Sequence, residues 1–67
     1  MISIVLNGDS RTCTAGRTLR DLLDEAGYAQ RRVAVEINHE IVPKSEHAQR
    51  EIRDGDRIEI VHALGGG

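Results

Sequence analysis

Ile2, Ile4 and Leu6 recur every second position, with Ser3 and Val5 between them, a period that predicts a strand with one buried face. Asn7-Gly8-Asp9-Ser10 follows, and because Asn and Gly both accept positive φ it predicts a hairpin turn, with residues 11–14 returning as the second strand. Ala15-Gly16-Arg17 breaks this pattern. Thr18-Leu19-Arg20-Asp21 then has the form of a capping box, in which Thr18 bonds a free helix amide and acidic Asp21 sits in the first turn. Leu19, Leu22, Leu23 and Ala26 fall at i, i+3, i+4 and i+7, the stripe of a helix lying on a sheet, and Gly27 marks its end.

Alternation resumes at Val33, Val35 and Ile37, a third strand that ends in the turn residues Asn38-His39-Glu40. Ile41-Val42 makes a short fourth strand; Pro43 ends it, having no amide hydrogen for a ladder, and points to a sheet edge. Residues 44–50 are polar and read as a loop with a helical turn. Asp54-Gly55-Asp56 is a tight turn before a last strand over Arg57–His62, with Ile58 and Ile60 inward and Arg57 and Glu59 outward. The order is hairpin, helix, two short strands, loop and final strand. One helix with a single apolar stripe must lie across the sheet, so the expected class is α+β, a β-grasp in which a mixed sheet grips one main helix with the last strand at its centre. The expected division is a globular domain over 1–62 and a flexible Gly-rich tail over 63–67.

Composition narrows the function. At 67 residues the chain is one small domain, able to bury only about 60% of its unfolded surface. That leaves little room for a preorganised pocket, so a self-contained catalyst is disfavoured. Hydrophobic content of 39% with 30% charged residues suits a folded domain with an aliphatic core, since there is no Trp or Phe and only one Tyr. With no aromatic platform and a net charge of −2, nucleic-acid binding has neither stacking nor phosphate attraction to draw on. No apolar run approaches the ~20 residues of a membrane span. Cys13 has no internal disulfide partner and no apolar leader precedes the first strand, so the chain reads as cytosolic.

The chemistry concentrates at the end of the chain. Gly65-Gly66-Gly67 buries nothing, and ordering glycine costs the most backbone entropy of any residue. From Ala63 to Gly67 an extended chain reaches roughly 17 Å, at about 3.3–3.6 Å per residue. It can thread a partner's active site while the body stays outside. The α-carboxylate of Gly67 would be ionised, a poor electrophile that must first be activated, typically as an acyl-adenylate from which a sulfur nucleophile displaces AMP.

The whole chain resembles the ThiS-type sulfur carriers of thiamin biosynthesis, which have the ubiquitin-like β-grasp fold. The resemblance rests on the strand ending in Asn7, the Ala15-Gly16-Arg17-Thr18-Leu19 approach to a helix with Leu22-Leu23, and Val35-Glu36-Ile37-Asn38 followed by Ile41-Val42-Pro43. Asp54-Gly55-Asp56-Arg57-Ile58-Glu59-Ile60-Val61 and the glycine tail complete it. It implies that Gly67 is adenylated by an E1-like, ThiF-like adenylyltransferase and becomes a thiocarboxylate. The ATP is used by that partner, and the carrier binds no cofactor or metal. Sulfur comes from cysteine through a donor such as a cysteine desulfurase, and a ThiG-like thiazole synthase takes it. Gly66, with Gly65 less constrained, gives steric clearance for threading. Ala63, Leu64 and His62 are candidate docking contacts, although Ala63 and Leu64 equally suit the end of the core strand.

Simpler roles are expected for the other residues that draw attention. Cys13 lies in a strand and reads as packing. His39 and His47 read as exposed turn and loop residues without metal-ligand spacing. Asp54, Asp56 and Glu59 could steer a basic partner, but the first two read chiefly as turn formers. Arg31-Arg32 reads as a solvated connection. Other functions remain open: a carrier of the molybdopterin synthase small-subunit kind, whose chains are longer and often carry prolines where His62-Ala63-Leu64 stands here; carriers for other sulfur products; a non-covalent β-grasp binding module; and a ubiquitin-like modifier.

Overall fold

The computed structural model describes residues 1–29 and 31–62. Strands β1 (Ile2–Leu6) and β2 (Asp9–Cys13) form the hairpin, helix α1 spans Leu19–Glu25, β3 is Val33–Ile37, β4 is Glu40–Ile41, a 3-10 turn covers Lys44–Glu46, and β5 is Arg57–His62. One sheet of five strands runs β2-β1-β5-β3-β4. The order along the chain is ββαβββ. The last strand is central, parallel to β1 and antiparallel to β3, and the short strand before Pro43 is an edge.

Local sequence explains each junction. Asn7 and Gly8 have φ of 49° and 87°, the pair of positive values of the two-residue turn that matches strand twist. The returning strand therefore begins at Asp9, two residues before the predicted start. Asp21 donates its backbone N–H to Thr18 Oγ1 at 3.2 Å, and the Thr18 N–H returns the bond to Asp21 Oδ2 at 3.1 Å, completing the capping box. Gly27, at φ 89°, ends the helix in a conformation that residues with a Cβ resist. Ala26, expected on the buried stripe, is half-buried at the helix C-cap. The fourth strand is Glu40–Ile41 rather than Ile41-Val42; Val42 instead leaves the edge, buries its side chain and donates its N–H to the Val35 carbonyl at 2.9 Å.

Ile4, Leu6, Val35, Ile37, Ile58 and Ile60 form the covered face of the sheet, and Leu19, Leu22 and Leu23 of α1 close over it. Ile52 joins them from irregular backbone, nearly free of solvent at 1% exposure, held by its N–H bond to the Arg17 carbonyl at 2.8 Å. His47 corrects the expectation of an exposed loop residue: it is 6% exposed. Its Nε2 lies 3.0 Å from the Val42 carbonyl; that oxygen can only accept, so Nε2 carries the hydrogen. The His47 carbonyl also receives the Arg20 N–H at the start of α1, at 2.9 Å. His47 thus ties the 3-10 turn to the helix.

Two tests follow from this packing. Leu19→Ala should lose about 2–5 kcal/mol in denaturant unfolding, as for a fully enclosed leucine. Ile41→Ser, at a side chain 71% exposed, should change stability by no more than about 0.5 kcal/mol; equal losses would place the core elsewhere. The second test concerns acid. The Thr18 backbone N–H, then its hydroxyl, holds the Asp21 carboxyl below the usual carboxylate range. A carboxylate whose folded pKa is depressed contributes stability that is present above its unfolded value, near 4, and is lost as pH falls through the folded value. Asp21→Asn should therefore flatten the acid limb of a stability-pH profile measured in urea. An unchanged slope would mean that the capping box is not formed in solution.

Candidate functional site

Of the predicted site, residues 62–67, His62 is the last residue of β5, so the first question is what fixes that strand. Its antiparallel register with β3 runs from Ile37↔Ile58 to Val33↔His62. On the other side, β1 pairs only at Val5↔Arg57 and Leu6↔Ile58. The Asn7 side chain lengthens that shorter ladder. Its backbone N–H donates to the Ile58 carbonyl at 2.9 Å, and its Oδ1 accepts the Ile60 N–H at 2.7 Å, replacing the carbonyl that a longer β1 would have supplied.

Asn38 serves the opposite edge. Its N–H donates to the Arg57 carbonyl at 2.8 Å, its Oδ1 accepts the Arg57 N–H at 3.0 Å, and its Nδ2 donates to Asp56 Oδ1 at 3.0 Å. Asp56 is 5% exposed. Its second oxygen accepts the Arg53 N–H at 2.9 Å and faces the Arg50 guanidinium at 3.4 Å, so the buried carboxylate is paired throughout. Asp54 Oδ1 accepts the Ser3 N–H at 2.8 Å, fastening the turn to β1. Both aspartates are turn formers, and Glu59 stands apart on the uncovered sheet face, directly opposite Glu36. The acidic cluster considered from sequence is thus divided between an internal network and a surface pair.

His62 is exposed at the end of β5, its ring centroid 5.9 Å from that of Tyr28 and tilted by 49°, within the range of favourable aromatic pairs. The candidate residues Ala63, Leu64, Gly65, Gly66 and Gly67 lie outside the described residues. Cys13 is a half-buried free thiol at the end of β2, packed against the core, and burial raises its pKa ahead of a smaller push from Glu25. It is therefore a poor thiolate nucleophile at neutral pH. His39 is exposed in the β3–β4 turn. Among the described residues no three His, Cys, Asp or Glu side chains converge in a metal-binding arrangement. The roles of Asn7 and Asn38 in clamping β5 were not foreseen. Turn propensity accounts for them in the sequence, and only the fold shows where their amides reach.

A mixed five-stranded sheet with its last strand central and one helix across its face defines a ubiquitin-like β-grasp protein. The chain belongs to the ThiS family, whose model matches residues 4–67. It is 35% identical over 66 residues to the sulfur carrier protein ThiS of Escherichia coli, covering 98% of this chain and all of that one. It is 50% identical over 66 residues to part of a thiazole synthase of Paramagnetospirillum magneticum, again covering 98% of this chain but spanning only 20% of that protein. The crystal structure of the thiamine biosynthesis protein ThiS from Geobacter metallireducens superposes with a TM-score of 0.82 at 28% identity, covering 98% of this chain and 100% of that one.

The β5 clamp can be tested directly. Asn38→Gly keeps the positive φ of 54° accessible but removes both amide contacts, leaving Asp56 and the Arg57 N–H short of a partner. It should cost about 1–3 kcal/mol in urea unfolding; an unaltered midpoint would show that the clamp adds nothing.

Proposed function

We propose that this chain is a sulfur carrier of thiamin biosynthesis, a protein co-substrate rather than an enzyme. The observation that carries the reading is the end-to-end correspondence with the Escherichia coli carrier: the two chains align over 66 residues, with no part of that carrier left over. In this reading the Gly67 carboxylate attacks the α-phosphate of ATP in a ThiF-like adenylyltransferase, forming an acyl-adenylate and releasing pyrophosphate. A persulfide charged by a cysteine desulfurase then displaces AMP to give an acyl disulfide, and a thiol reductant cleaves its S–S bond, leaving the thiocarboxylate on Gly67 and a disulfide as the oxidised product. The negative charge of a carboxylate disfavours direct attack by sulfur, which is why ATP must be spent first. The nucleotide belongs to the partner, and the carrier supplies only the acyl group.

Thiazole synthase is the proposed acceptor. Support comes from the thiazole synthases of Paramagnetospirillum magneticum and Magnetococcus marinus, each of which contains a segment similar to nearly this whole chain. Covalent linkage of two domains raises their effective concentration for one another, which suits a donor that must return to its acceptor each cycle. Gly65 and Gly66 are the threading residues, lacking any Cβ that a narrow channel would meet. Ala63, Leu64 and His62 are docking contacts at the base of the tether. The free thiol Cys13 suits the reducing cytoplasm, where this reading places the chain.

The test is intact-mass analysis after incubation with the adenylyltransferase, ATP, a cysteine desulfurase, cysteine and a thiol reductant. Exchange of one oxygen for sulfur at Gly67 is expected, and no exchange with any such enzyme would overturn the reading. Deleting Gly66 and Gly67 should abolish the exchange while leaving the thermal unfolding midpoint where it was.

A further inference from the structure

A groove of about 530 Å³ runs between the end of α1, the connection into β3 and the 3-10 turn, a size that falls within the range of small-ligand sites. We propose that it binds a small phosphorylated anion of the pyrophosphate or nucleotide class. Arg20, Arg31, Arg32 and Lys44 reach it from three separate segments. These are four of the nine Lys and Arg residues in a chain whose net charge is −2. Asp24 is the one carboxylate on its wall, and it stands 3.9 Å from Arg20. Among the described residues Arg31, Arg32 and Lys44 make no ion pair, whereas Arg17 and Arg50 elsewhere have carboxylate partners in Glu25 and Asp56.

Gathering uncompensated like charges around a concavity opposes folding through mutual repulsion, and the low-dielectric walls focus the resulting potential on whatever enters. Nothing in the core requires that arrangement, since all four cationic side chains belong to exposed residues. Guanidinium groups present paired N–H donors that match phosphate oxygens. Between them the wall is formed by half-buried Tyr28, with Leu23 and Val33 beside it. A phosphate can therefore meet the cations while an attached organic group lies on the ring. The concavity has the dimensions of one small molecule; a protein partner would instead need roughly 800 Å² of matching surface.

The groove also adjoins the candidate site. Tyr28 lines it and packs on His62, and Val33 lines it and pairs with His62 across the sheet. A bound anion would sit beside the end of β5, whether or not sulfur carriage is correct.

The experiment is an amide chemical-shift titration of the uniformly ¹⁵N-labelled full chain with pyrophosphate, AMP and ATP in turn, at low salt and again at higher salt. Saturable shifts confined to the groove segments are expected, weakening as salt screens the charges. The Arg31→Gln/Arg32→Gln double variant should bind at least about tenfold more weakly, having lost two charge-assisted contacts. Arg11→Gln, on β2 away from the groove, should bind as the parent does. Both variants change exposed side chains, and their unperturbed spectra report that the fold is retained. Shifts at the Tyr28 amide with AMP and ATP that pyrophosphate does not cause would show the organic group on Tyr28. Shifts scattered over the surface, no saturation, or an unchanged affinity in the double variant would overturn the proposal, and none of these outcomes bears on mass exchange at Gly67.

Discussion

Everything in this small protein depends on β5 being held on both edges. Ile58 near its start has no solvent exposure, and the strand joins the hairpin, through β1, to the later segments, through β3. The pairing with β1 is short, and the Asn7 side chain makes up the deficit by accepting the Ile60 N–H. Asn38 and Asp56 hold the start of the strand on the other side. A sheet whose central strand follows the others in sequence closes only when that strand joins it, which couples the position of His62 to the core.

That coupling explains how so small a domain can present the end of its last strand accurately. Over Arg57–Ile60 the central strand has partners on both sides, its inward side chains join the core with those of α1, and β3 alone follows it to His62. Such a strand holds its last residue, His62, at a fixed point. The proposed chemistry needs no more from the body than this, together with surfaces that partners can recognise. The surfaces are unequal: Glu36 and Glu59 face each other on the uncovered side of the sheet, and cations gather around the groove below α1.

Much of this was legible from period and punctuation. The alternation at Ile2, Ile4 and Leu6, the capping box at Thr18 and Asp21, and the stop at Gly27 are local signals, and the fold uses them locally. The central place of the last strand followed from having one helix and one apolar stripe to cover. The departures have a common cause. His47 looked like a loop histidine because nothing in its neighbours announces burial, yet the carbonyl of Val42 reaches its ring. Ile52 sits in irregular backbone with no period to flag it, yet it is among the most enclosed side chains. Asn7 and Asn38 were read as turn formers, which they are, while their longer-range amide contacts span 53 and 19 positions of sequence. Arg31-Arg32 looked like a solvated link because Arg20 and Lys44 are distant in the chain, and only folding brings the four together.

Native-state hydrogen exchange at the amides of Ile58 and Ile60, compared between the full chain and one truncated after His62, tests most directly whether the strand anchors a chemically separate end. Both amides should exchange only through global unfolding, more slowly than those of β2 and β4, and at the same rate with residues 63–67 removed. Exchange as fast as at the sheet edges, or protection that is lost on truncation, would show that β5 does not hold the body together on its own terms.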